Sequence, residues 1–386
     1  MKRRLPGRKT KRSKMLPGRS GRKGRIRTKG KRAFPGSRKG LRSRIGRIRL
    51  KTARKSNSAA RRNWTNIAYE AGLQEGSQQA FGHTAGDKLA VNRLWAKWFL
   101  ASEKHMPWAV YQLAAKAFLK GIYHKSAAPV PPWVLLPVQG TVGAVLTVMN
   151  EEDSIPSVSE QLARLPLDEL VIVVNGTSDR SFPLLRSTLP AVIVHYAQPL
   201  GHDVGRSVGA KLTTADIVLF LDGDFAIQAE HLVPFVHAVQ QGSDLALNNI
   251  TPYLSAFMYR DNVTVMKEFV NRALGRADLH ANSLTAVPHA LSRRAIEELG
   301  CRKLMIPPAA QTAALQRGLR VTAPSSVDVI TRNKLKRNNA GSNNLVAEMI
   351  VGDHLEGLQE ALEAGGSRLS YGDQIRNRTM AEMKQA

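Results

Sequence analysis

Two carboxylates separated by one glycine, Asp222 and Asp224 around Gly223, are the residues whose types and spacing best suit chemistry. They follow five apolar residues, Ile217 to Leu221, a run that reads as a β-strand covered on both faces. Alternation along an extended chain points both carboxylates the same way, and Gly223 lets a ligand approach the backbone. Two hard oxygen ligands at the mouth of a parallel strand suit Mg2+ or Mn2+ holding a diphosphate. A solvated Asp-Gly-Asp turn would look the same in isolation, so the surrounding elements decide between the two.

Those elements alternate regularly between residues 140 and 335. Strands are expected at Val142 to Met149, Leu170 to Val174, Val192 to Tyr196, Ile217 to Leu221 and Leu245 to Asn248, with a helix in each interval. This succession predicts an α/β fold, a doubly wound and mostly parallel sheet flanked by helices, with ligands at the carboxyl ends of the strands. Further on, Ser283 to Ser292 reads as a strand, a helix opens at Pro307, and Arg320 to Val329 returns to strand.

The sequence Met149-Asn-Glu-Glu152, then Asn175-Gly-Thr-Ser-Asp179, then Gly205 and Arg206, then Asp222-Gly-Asp224 resembles, in order, the nucleotide-sugar half of a GT-A glycosyltransferase, family 2-like. The resemblance implies metal-dependent transfer of a sugar from a nucleoside-diphosphate sugar to an acceptor hydroxyl. It places Asn150, Glu151, Asn175 and Asp179 at the nucleoside, Arg206 near the base or phosphate, Asp222 at ribose or metal, and Asp224 as the firmer metal ligand. Val174 and Asn175 stand where the family usually begins its second turn with an acidic residue, which leaves the donor base open. Ala309, Ala310 and Gln311 stand where inverting members carry an acidic pair, and Gln311 cannot act as a base. Three explanations compete: His289 supplies the base, the enzyme retains configuration with help from the donor phosphate, or turnover has been lost. His354, in Gly352-Asp-His354, is the expected third metal ligand, and imidazole suits Mn2+ better than Mg2+.

Charge divides the chain differently. Its formal net charge is +27, yet residues 1–62 hold 27 Lys and Arg with no Asp or Glu, so the remainder is neutral. Such an arm cannot bury enough apolar surface to offset its ordering entropy, and disorder is expected. It suits a polyanion: nucleic acid, an anionic polymer or an anionic membrane surface. Phe34 is its only aromatic residue, which argues against base stacking. A helical neck is expected over residues 63–127, a Pro-rich linker over 128–139, and a C-terminal loop and helices over 336–386, with the long helix there interrupted near Gly352. No apolar run is long enough for a membrane span. One cysteine, Cys301, rules out an internal disulfide framework and points to a reducing, cytoplasmic location. Two rivals stand beside the transferase reading: a nucleotidyltransferase, disfavoured by the acidic loop after the first strand, and a non-enzymatic polyanion-binding protein with a degenerate GT-A domain.

Overall fold

The structure is a computed structural model that describes residues 63–101, 106, 108–126, 129–331 and 345–372. The basic arm, the polar loop expected before the last long helix and all but the first two residues of the helix expected over Tyr371 to Met380 lie outside the described residues.

Seven strands form one sheet: β1 (Val142–Val148), β2 (Glu169–Asn175), β3 (Val192–Tyr196), β4 (Ile217–Asp222), β5 (Leu245–Asn248), β6 (His289–Ser292) and β7 (Val321–Ser325), in the order β3-β2-β1-β4-β6-β5-β7. All neighbours pair in parallel except β6, which runs against both β4 and β5. The carboxyl ends of β1, β4, β5 and β7 therefore share one edge of the sheet. Period-two alternation feeds two cores: Ile217, Leu219 and Leu221 face one, Val218 and Phe220 the other.

The expected ten-residue strand ending at Ser292 is shorter. Only His289–Ser292 pairs with β4, because Pro288 has no N–H to give a ladder and the stretch before it turns. β7 likewise ends at Ser325.

Helices α1 (63–78), α2 (Ala85–Ala101) and α3 (Trp108–Ile122) make up the neck. Its aromatic residues join the core under the sheet: Trp95 and Phe118 are fully buried and cluster with Leu146, Ile172 and Phe235. Trp95 Nε1 donates to Tyr111 Oη at 2.8 Å, and that hydroxyl donates to the Leu135 carbonyl at 3.0 Å. Helices α1 and α3 meet backbone to backbone at Gly72, Gly76 and Gly121, where a Cβ would overlap the carbonyl oxygens of Phe118, Ile122 and Tyr69 respectively. The stretch read as a linker is inside: Val134, Leu135, Leu136 and Val138 are buried, and the Leu136 N–H donates to Asn92 Oδ1 at 2.7 Å. Prolines stiffen this stretch, while its apolar residues dock it.

The remaining helices are α4 (Ile155–Ala163), α5 (Ser181–Thr188), α6 (Val204–Leu212), α7 (Ala229–Gln240), α8 (Asn262–Ala273), α9 (Arg293–Leu299), α10 (Pro307–Gln316) and α11 (Leu345–Gly365). α11 passes Gly352 without a break. Packing holds it: Gly357 lies so close to α10 that a Cβ there would come within 3.0 Å of Ala309 Cα.

Candidate active site

The site is built where β1 and β4 end side by side. Their register sets Thr147 opposite Asp222. Thr147 Oγ1 donates to Asp222 Oδ1 at 2.6 Å, and the Gly223 N–H donates to the Thr147 carbonyl at 2.8 Å. Ser154, just before α4, donates to the Gly223 carbonyl at 2.5 Å. The Asp-Gly-Asp turn is thus held from both sides, and a Cβ on Gly223 would come within 2.9 Å of Val148 Cγ2.

Around this turn lies a cavity of about 390 Å³ lined by Thr147, Glu151, Asn175, His202, Asp203, Arg206, Asp222 and Asp224, among others. Asp222 and Asp224 both line it, but β4 ends at Asp222, so the turn rather than strand alternation places Asp224 there. Asp222 keeps a third of its side chain exposed, while the side chains of Arg206 and Asp203 are each 6 % exposed. Arg206 pairs with Asp203 at 3.0 Å and lies 3.5 Å from Asp222, and it also donates to the Leu284 carbonyl at 3.1 Å. Asp203 sits in the left-handed region at φ 61° ahead of α6.

The nucleoside residues divide into two groups. Glu151 and Asn175 line the cavity, and Asn175 braces the Leu200–Gly201 backbone through both amide atoms at 2.7 and 2.9 Å. Asn150 and Asp179 instead spend their polar atoms joining two loops. Asn150, at φ 56°, accepts from the Ser178 N–H at 2.8 Å. Asp179 accepts from the Glu152 and Ser181 N–H groups at 3.0 and 2.9 Å. Burial pushes its carboxyl up, but bonds from Ser181 and Glu152 outweigh this and hold it below the usual range.

The structure keeps both histidine candidates out of the cavity. His289 is 3 % exposed and stacks on Phe220, with ring centroids 5.2 Å apart. Burial, helped by the Arg206 charge, pushes it down to about 3. A general base must reach the acceptor proton, and a ring sealed under the sheet's edge does not. His354, on α11, is equally buried and its Nδ1 bonds the Ile350 carbonyl at 2.7 Å. Burial pushes it down to about 4. Its neighbour Asp353 is within electrostatic reach of Asp203 and His202, and burial with the charges of Asp203 and Glu356 pushes that carboxyl up. Among the described residues no three His, Cys, Asp or Glu side chains gather as a metal-binding group.

Gln311 has a structural task in place of a carboxylate's. It is 4 % exposed, accepts from the Leu284 N–H at 2.9 Å and donates to Asn271 Oδ1 at 2.8 Å. Asp203, His202, Thr147 and Ser154 belong to the site without having been singled out. Asp203 had a signal: it stands three residues before Arg206, the spacing at which side chains meet on a helix.

The strand order, the single reversed strand and a carboxylate pair at the β4 end define a GT-A fold. Residues 144–298 match the glycosyl transferase family 2 model. Among solved structures, glucosyl-3-phosphoglycerate synthase from Mycobacterium tuberculosis in complex with uridine-diphosphate is similar at 18% identity, over 57% of this chain and 80% of that chain, with a TM-score of 0.43. The same synthase with Mn2+, uridine-diphosphate and phosphoglyceric acid gives 18% identity over 61% and 80% of the two chains, with a TM-score of 0.43. Its complex with Mg2+ and uridine-diphosphate gives 17% identity over 61% and 81%, with a TM-score of 0.40. No curated protein matches the sequence.

Proposed function

We propose that the chain transfers a sugar from a nucleoside-diphosphate sugar to an acceptor hydroxyl, with Asp222 and Asp224 holding Mn2+ or Mg2+ against the diphosphate. One observation carries the reading. The cavity is lined by four carboxylates, Glu151, Asp203, Asp222 and Asp224, and one guanidinium, Arg206, which is already paired with Asp203. A diphosphate entering alone would be repelled, whereas a divalent cation makes the same lining attractive. Two protein carboxylates suffice for such an ion, since Mg2+ and its like take their remaining ligands from phosphate and water.

The metal, when bound, neutralises charge on the departing diphosphate without a proton transfer. The chain's own residues do the rest. Thr147 and Ser154 fix the Asp-Gly-Asp turn, so that the ligands are set before the donor arrives. Arg206 balances Asp203 and Asp222 from beneath. Glu151 and Asn175 meet the nucleoside. The basic residues 1–62 localise the enzyme to an anionic partner, with diffuse charge rather than base stacking as the attraction.

Thermal unfolding with UDP, GDP, CDP and ADP, each with and without Mn2+, tests the donor site. A ligand at about 100 times its Kd adds about 2.7 kcal/mol of stability. A metal-dependent rise with one nucleotide, absent in Asp224→Ala, is the expected result; no rise with any of them sinks the reading.

A further inference from the structure

The loop between β5 and α8 holds an apolar feature that the transfer chemistry does not use. Phe257, Met258 and Tyr259 are 66, 77 and 76 % exposed, the only three large hydrophobic residues exposed in succession among the described residues. They form one 3-10 turn, closed by the Tyr259 N–H to the Ala256 carbonyl at 2.9 Å and the Arg260 N–H to the Phe257 carbonyl at 3.1 Å. The turn is braced from behind. Arg260 donates to the Ser255 carbonyl at 3.1 Å, pairs with Glu268 of α8, and lies 5.7 Å from the Phe257 ring centre. Asp261 then caps α8 by accepting from the Thr264 N–H at 2.7 Å. Three large, mostly apolar side chains are therefore presented to water side by side on a braced turn, the kind of exposed patch that marks an interaction surface.

Position narrows the partner. β5 runs parallel to β1 and β4 within the sheet, so this loop leaves from the same edge that carries Asp222 and Asp224. Charge narrows it further. The chain carries 27 unbalanced cations in residues 1–62 and no acidic residue among them. An anionic bilayer takes both features at once: headgroups attract the cations, and aromatic and thioether side chains enter the boundary below the headgroups. Stable peripheral binding needs two such signals, since neither alone holds a protein at a membrane.

We propose that Phe257, Met258 and Tyr259, on the sheet edge that bears the donor cavity, form a prong that inserts into an anionic phospholipid bilayer, the lipid charge that the 27 cations of residues 1–62 favour. This rests on the function above only in naming what the cavity does.

The test is co-sedimentation of the full chain with vesicles of phosphatidylcholine, with and without about 30% phosphatidylglycerol. The expected result is binding only to the anionic vesicles, reduced about tenfold or more by F257S/M258S/Y259S and weakened separately by salt. A second variant, Tyr259→Trp, reports insertion directly, as added tryptophan emission quenched by brominated lipid. Unchanged sedimentation of the triple variant, or no added quenching, overturns the proposal. So does capture on polyphosphate or RNA beads with no vesicle binding, which would make a soluble polyanion the arm's partner. Because these three residues are exposed, nucleotide-dependent melting of the triple variant should match that of the unchanged chain. Loss of the nucleotide response in the unchanged chain would sink the transferase reading and leave the docking result standing.

Discussion

The two halves of the sheet treat their polar side chains in opposite ways. On the β1–β4 side, Glu151, Asn175, Asp222 and Asp224 open to a cavity, and only their supports are buried. On the β5–β7 side, Asn271, Asn282, Gln311 and His289 are all under 5 % exposed. There the amides bond one another: Asn282 accepts from the Ile250 N–H at 2.9 Å, and Asn271 donates to the His280 and Asn282 carbonyls at 2.8 and 3.0 Å. The first half lines an open cavity with its polar groups, some of them braced by neighbours; the second buries its polar groups to hold its own wall. A residue type alone therefore says little about function until its hydrogen bonds are counted.

The largest effect expected from breaking this contrast is at Asp224. Asp224→Ala should lower transfer about 10²-fold or more while leaving the unliganded melting temperature nearly unchanged, as removal of a charge-stabilising group does. Turnover of a nucleotide sugar, once identified, measures it. Gln311→Ala should do the reverse. It strands the Leu284 N–H and Asn271 Oδ1, costing about 2–4 kcal/mol in denaturant unfolding, with metal-dependent nucleotide binding kept. Nucleotide affinity falling as much as stability would show that the wall is part of the donor site.

Acid should act through the buried histidines. His289 titrates near 6.5 when unfolded and is held down to about 3 in the fold. The unfolded chain therefore binds the extra proton first, and stability is lost as pH falls from about 6.5 towards 3. His354, held down to about 4, adds to the same trend. The melting temperature should drop through this range, and His289→Gln should flatten the drop. An unchanged slope would mean that the ring is not sealed as described. Smallest is Asn150→Ala, which unties the β1 and β2 loops from each other. It should cost about 1 kcal/mol and weaken nucleotide binding only modestly, read by unfolding and by titration.

Much of the donor half was legible in the sequence because its signals are local. A five-residue apolar run followed by Asp-Gly-Asp specifies a strand and the turn that ends it. The acceptor half depends on contacts between distant residues. Gln311 meets Leu284 and Asn271 across long stretches of chain, and no spacing rule announces that. The same limit explains His289, whose neighbour Phe220 comes from another strand, and the buried segment after Pro132, where composition spoke for a linker and tertiary packing decided otherwise. Pro288 was visible, and its missing N–H was reason enough to shorten the strand before it.

The backbone contact between α1 and α3 constrains the alphabet of this protein. At Gly72, Gly76 and Gly121 even a methyl group would meet a neighbouring carbonyl oxygen. In a saturation scan read by folding, these three positions should accept one amino acid each. Nearby Ile67 and Leu113, 39 and 44 % exposed, should accept most polar ones. The neck's least tolerant sites would then be those without side chains, with alanine, usually the mildest replacement in a helix, among the most damaging.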